Sequence, residues 1–147
     1  MVEPLRSSRS REQAFLLQEL GASAARHRVR AALASADVSV KAHEATHVAI
    51  AGPYAEGAPQ YIYAMGPDGT LYAVGGSVKV DVTPVPGDPQ ATLRKAEALM
   101  QAALGPGEPS AADMRIAAEA YRMAMEAQRE IEEESAGTPG GLVNLTA

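Results

Sequence analysis

Small side chains dominate the apolar part of this sequence and limit what it can build. Alanine occupies 30 positions, whereas Leu, Ile, Val and Phe together occupy 27 of the 147. Alanine has the highest helix propensity of the amino acids, but it fills little volume in a core. Since a chain of this length supports one compact domain, we expect a small, largely helical core.

The composition also excludes several classes of site and partner. The chain has no cysteine, so a metal ion would have to be held by His, Asp or Glu. Its net charge of -5 and the lack of a dense basic stripe argue against a nucleic-acid partner. No apolar run is long enough for a signal peptide or a membrane span. We therefore expect a cytoplasmic protein without a membrane span.

Hydrophobic spacing and helix-terminal residues predict four helices. They cover residues 11–36, with a possible break at Gly21, and residues 40–51, 89–104 and 111–134. Asp37 or Ser39 is expected to cap the second helix, and the pair Gly52-Pro53 ends it, because the residue before a proline avoids the helical region.

The starts of the last two helices carry specific signals. Asp88 followed by Pro89 is typical of a capped helix with proline at its first position. Ser110, with Asp113 three residues later, resembles a capping box.

A change of period between residues 59 and 82 predicts strands. Residues 60–65 and 70–74 flank the turn sequence Gly66-Pro67-Asp68-Gly69, which indicates a β-hairpin. Residues 77–82 then alternate strictly, with Val78, Val80 and Val82 on one face, and predict a third strand. The expected fold class is therefore α+β, with Ala-rich helices packed on a small antiparallel sheet.

One motif in the sequence carries specific chemistry. His43, Glu44 and His47 form H-E-x-x-H within a predicted helix. Residues four apart lie on the same helix face, so both imidazoles can bind one Zn²⁺ while the carboxylate of Glu44 acts as general base on a bound water. The motif predicts a zinc site with His43 and His47 as ligands and Glu44 as the catalytic residue.

The third zinc ligand is not given by the motif and must be a later acidic residue. Asp81 is our preferred ligand, because it lies on the polar face of a predicted strand that can back onto the His helix. An equally good interpretation makes Asp81 a solvent-facing strand residue. The other candidates are Glu56, Asp68, Asp88, Glu97 and Glu119.

Several motifs in order resemble the bacterial SprA-related family, whose members are described as metalloproteases. The resemblance covers roughly residues 40–128. It comprises Ala42-His43-Glu44 with His47, Gly66-Pro67-Asp68-Gly69, Tyr72-Ala73-Val74-Gly75-Gly76, Pro84-Val85-Pro86-Gly87-Asp88-Pro89 with Thr92 and Lys95, Ala102-Ala103-Leu104, and Pro109-Ser110 to Asp113.

The sequence departs from the family pattern at one position. The family has Glu after the Gly-Gly pair, whereas this chain has Ser77; Asp81 is retained. If the family Glu is the third ligand, the site of this chain is weakened or silent, and if Asp81 is the ligand, the site is intact.

The resemblance and the motif together predict a zinc-dependent hydrolase. We expect a peptidase with a peptide or protein substrate, built as a single zincin-like α+β domain over residues 11–134 between flexible tails at 1–10 and 135–147. The alternative is a catalytically silent relative that acts as a protein-interaction module. The oligomeric state is left open.

Overall fold

The computed structural model describes residues 4–137, and it describes side chains from residue 9 onward. Its elements, in chain order, are α1 (Pro4–Ala51), a 3-10 turn (Gly52–Tyr54), β1 (Gln60–Met65), β2 (Leu71–Ser77), α2 (Pro89–Leu104) and α3 (Ala111–Gly137). The two strands form one antiparallel hairpin, so the predicted α+β class is confirmed. None of the helices in this described range is both long and apolar enough to span a membrane.

Helix α1 is continuous where the sequence predicts two helices. Gly21 lies inside it, and the carboxylate of Asp37 does not cap a new helix. Asp37 accepts hydrogen bonds from Nζ of Lys41 at 2.9 Å and from the backbone nitrogen of Ala73 at 2.7 Å. The predicted break at Gly21 is wrong, because strong helix formers surround this glycine. The predicted start of a second helix near Asp37 is also wrong, because the carboxylate of Asp37 accepts its hydrogen bonds from Lys41 and Ala73.

The end of α1 agrees with the prediction. The helix stops at Ala51, and Gly52 takes a φ of +52° just before Pro53. Glycine adopts this left-handed conformation without steric cost, while proline prevents the helix from continuing.

Contacts group the chain into two compact units. The first contains residues up to Lys41 together with Tyr61–Gly76, and the second contains Ala42–Gln60 together with the residues from Ser77 on. The domain limits expected from the sequence stay a prediction. Helix α1 already includes residues 4–10 and α3 extends to Gly137, whereas residues 1–3 and 138–147 of the expected tails lie outside the described residues.

The hairpin of the first unit is held by a polar turn. The backbone nitrogen of Gly66 donates to the carbonyl of Thr70 at 2.8 Å. Asp68 accepts from the hydroxyl of Tyr72 at 2.8 Å and from the backbone nitrogen of Thr70 at 3.2 Å. These bonds lower the pKa of Asp68, the Tyr72 hydroxyl contributing most.

The core of the second unit lies where α2 packs against α3. Leu99 is completely buried there, and small alanines on both helices allow close approach. The cluster consists of Ala96, Leu99, Ala120, Met123 and Ala124, with Tyr54, Val80, Val82, Leu93 and Met100 packed against it.

Both predicted helix starts are confirmed. The carboxylate of Asp88 accepts from the backbone nitrogen of Ala91 at 2.8 Å and caps α2 ahead of Pro89. At the start of α3, the backbone nitrogen of Asp113 donates to Oγ of Ser110 at 3.2 Å, and that of Ser110 donates to Oδ2 of Asp113 at 2.7 Å. This is the reciprocal capping box that the sequence predicts.

Residues 78–82 do not extend the sheet, so the predicted third strand is wrong. After Ser77 the chain leaves the hairpin and forms an isolated antiparallel bridge between Val80 and Ala55. The predicted apolar face does point inward, since Val78 is buried and Val80 and Val82 pack on the α2–α3 core. The alternating pattern thus identified the buried face, while the backbone partner came from the turn after α1.

Candidate metal centre

The two histidines of the motif lie on one face of the last turns of α1. Their ring centroids are 4.6 Å apart, and their Nε2 atoms are 3.0 Å apart. His47 is buried, whereas the side chain of His43 is partly exposed. The helical spacing therefore brings two imidazole nitrogens together at a position that solvent can reach through His43.

A hydrogen bond from α2 sets the orientation of His47. Its Nδ1 atom lies 2.8 Å from the carbonyl oxygen of Ala102. A carbonyl can only accept, so Nδ1 donates this bond, and in the neutral imidazole Nε2 then keeps its lone pair. Metal-binding histidines are commonly oriented by such a bond from the second ring nitrogen.

Asp113 brings a carboxylate to the same place from the first turn of α3. Its Oδ2 atom is 3.4 Å from Nε2 of His47 and 3.9 Å from Nε2 of His43. The carboxylate is buried, and the Ser110 backbone nitrogen holds the same oxygen. The capping box thus also aims Asp113 at the two histidines.

The three donor atoms have the spacing of a metal ligand set. In a tetrahedral site with bonds of about 2.0–2.1 Å, neighbouring ligand atoms are roughly 3.3 Å apart. The observed separations of 3.0, 3.4 and 3.9 Å bracket that value. His43, His47 and Asp113 can therefore hold a metal ion, and a cavity of about 10 Å³ borders His47 and Asp113.

Glu44 is buried beside this group. It is only 4% exposed, and its Oε2 atom has no hydrogen-bond partner among the described residues. Burial raises the pKa of Glu44; the nearby His47 opposes that shift, and Asp113 adds to it. A buried carboxylate oxygen without a partner is costly, and a bound ion with its water would supply the missing partner.

The structure uses Asp81, the preferred third ligand from the sequence, in a different contact. Its Oδ2 accepts from Nζ of the buried Lys95 at 2.6 Å, and its Oδ1 accepts from the backbone nitrogen of Thr83 at 2.9 Å. Asp81 is not part of the group formed by the histidines, and Ser77 lies at the end of β2.

The remaining acidic candidates are also outside that group. Asp68 closes the hairpin turn, Asp88 caps α2, and Glu97 is exposed on α2. Glu56 and Glu119 line a groove along residues 77–82.

Sequence reasoning assigned Asp113 to helix capping and not to the site. That assignment is correct but incomplete, because one oxygen serves both contacts. The available signal was the Ser110-to-Asp113 stretch among the motifs that resemble the family.

Comparison with known proteins gives one positive result. The family model described as the SprA-related family matches residues 6–139 of the chain. No match was found among curated proteins or among solved structures.

Proposed function

The chain belongs to the SprA-related family, and on that basis and the metal-binding group we propose that it is a zinc-dependent hydrolase that cleaves peptide bonds. The observation that carries the proposal is the convergence of His43, His47 and Asp113 beside the buried Glu44. Two imidazoles and one carboxylate are the protein ligands of many catalytic zinc sites, which leave a further position open.

In this proposal the ion is held by His43, His47 and Asp113. Asp113 replaces Asp81 as the third ligand, because the carboxylate of Asp81 is paired with Lys95. The donor set favours Zn²⁺ over Mg²⁺ or Ca²⁺, since those ions prefer oxygen ligands and two of the three donors here are imidazole nitrogens.

Glu44 is the proposed general base. When bound, a zinc ion lowers the pKa of water and polarises a carbonyl oxygen. Oε2 of Glu44 has no hydrogen-bond partner among the described residues, so it can take a proton from the attacking water and pass it to the leaving amine.

The catalytically silent alternative depends on Ser77 in the place of the family Glu. The donor group described above contains a carboxylate without any contribution from residue 77. This favours the hydrolase over the interaction module.

The test is zinc binding by elemental analysis and competitive titration. We expect about one zinc per chain, lost in His43→Ala and Asp113→Ala and retained in Asp81→Ala. Glu44→Gln should keep the zinc and lower turnover of unfolded casein by about 10²–10⁴-fold, the usual contribution of a general base. A folded wild-type chain without zinc would overturn the proposal.

A further inference from the structure

Residues 78–82 are bridged through Val80, on one side of the backbone, to a neighbouring segment. Their bridge to the turn after α1 uses two bonds, from the backbone nitrogen of Glu56 to the carbonyl of Lys79 and from that of Asp81 to the carbonyl of Tyr54, both 2.8 Å. These bonds flank the facing pair Ala55 and Val80. In this antiparallel pattern, the facing residues point their own N–H and C=O groups away from each other.

The backbone groups of Val80 therefore face away from the turn, and they have no backbone partner in the part of the chain that the structure describes. Such an edge is a template for another strand.

A groove of about 360 Å³ runs between this edge and the first turns of α3. Its lining residues include Val78, Val80, Ala112 and Ile116. Three of these residues, Val78, Val80 and Ile116, also line the small cavity at His47 and Asp113. The groove therefore shares part of its wall with the small cavity beside the metal-binding group.

We propose that an extended, unfolded peptide segment binds in this groove as an added strand along residues 78–82. This inference rests on the proposed function and names its substrate class. The free N–H and C=O groups of Val80 need a partner with unpaired backbone groups. A helix or a sheet interior has no such groups to offer, so the groove selects unfolded segments over folded surfaces.

The charges in the groove fit a substrate of mixed sequence. Lys79 and Arg115 supply positive charge, while Glu56 and Glu119 supply negative charge. None of the four forms an ion pair within the described residues. Because positive and negative charges are balanced in the groove, we expect it to recognise the backbone of the bound peptide and to tolerate peptide side chains of either charge.

The experiment compares two forms of one probe protein. Reduced, carboxamidomethylated ribonuclease A is unfolded, whereas the native disulfide-bonded form is folded. Binding of each to zinc-treated Glu44→Gln protein is measured by fluorescence anisotropy, and hydrogen exchange of the backbone amides reports where the probe lies. Ala112→Trp places a large side chain in the groove, and Ala118→Trp, on an exposed part of the same helix, is the matched control.

We expect the unfolded probe to bind, the native probe not to bind, and exchange over residues 78–82 to slow in the complex. Ala112→Trp should weaken binding at least about tenfold, whereas Ala118→Trp should leave it unchanged. Binding without protection of residues 78–82, equal binding of the native probe, or no binding would overturn the inference.

These outcomes are separable from failure of the proposed function. If residues 78–82 are protected in a chain that takes up no zinc, the proposed hydrolase function is wrong and the proposed peptide binding in the groove is supported. If the chain takes up zinc and hydrolyses the substrate while exchange at residues 78–82 is unchanged, the hydrolase function is supported and the proposed peptide binding in the groove is wrong.

Discussion

Oδ2 of Asp113 lies 3.4 Å from Nε2 of His47 while it also accepts the backbone N–H of Ser110 at 2.7 Å. One carboxylate oxygen thus caps α3 and faces the imidazole of α1. Helix capping and metal binding are joined in a single side chain, and substitutions can separate the two.

Asp113→Asn should separate capping from metal binding. The amide oxygen of Asn can still accept the Ser110 N–H, so stability should change little, while loss of the negative charge should lower zinc affinity by about tenfold or more. Competitive titration and thermal unfolding measure the two effects. Asp81→Asn is the matched control for affinity, and an equal loss of zinc in both variants would contradict the ligand assignment.

Leu99→Ala should strongly destabilise the second unit. Leu99 is fully buried between α2 and α3, and truncation of such a leucine costs about 2–5 kcal/mol in the free energy of unfolding. Urea denaturation followed by circular dichroism measures it. Leu104→Ala, at a position that is 46% exposed on the same helix, should cost much less; similar losses would show that the α2–α3 contact is not the core.

The ion pair of Asp81 with Lys95 should make the free energy of unfolding depend on pH in the acidic range. The hydrogen bond from the Lys95 ammonium lowers the pKa of Asp81 from its ordinary value of 3.8 to about 2. Because the folded-state pKa is the lower one, the contribution is complete above about pH 4 and is lost as the pH falls toward 2. The stability difference between wild type and Asp81→Asn should therefore shrink over that window.

The control for this pH effect is the Lys95→Met background. There the ion pair is absent, so Asp81→Asn should show a smaller change over the same pH range. A full-sized change in that background would assign the pH dependence to a different contact.

One substitution, glycine to alanine, should have opposite effects at two positions of the first unit. A Cβ at Gly66 would lie 2.6 Å from Oδ1 of Asp68 and 2.7 Å from Cε2 of Tyr72, so the turn must shift. At Gly21, inside α1, a Cβ would meet nothing within 4 Å, and alanine should stabilise the helix by about 1 kcal/mol.

Hydrogen exchange measures both glycine variants. Gly66→Ala should speed exchange in residues 61–76, and Gly21→Ala should slow it in α1 around residue 21. Faster exchange around Gly21 would contradict the continuous helix.

Local signals predicted the helix ends and the motif face well. Gly52-Pro53, Asp88-Pro89 and the Ser110–Asp113 box act within a few residues, so the sequence contains their whole cause. The spacing of His43 and His47 likewise predicted neighbouring imidazoles, because helix geometry depends on backbone bonds four residues apart.

The continuity of α1 and the partner of residues 78–82 were not predictable in the same way. Asp is a residue type that commonly caps helices, but the carboxylate of Asp37 accepts a hydrogen bond from the backbone nitrogen of Ala73 in the hairpin. Val80 has the pattern of a sheet strand, but it bridges to Ala55. Both outcomes depend on which segment is nearby after folding.

The sequence by itself determined the end of α1 and the starts of α2 and α3, the buried face of residues 78–82 and the pair of imidazoles, because periodicity and capping are local. The tertiary structure alone decided that Asp113 faces His43 and His47, that Asp81 pairs with Lys95 and that Val80 bridges to Ala55. These contacts join different segments of the chain, so they depend on which segments meet after folding, and residue type alone leaves them open.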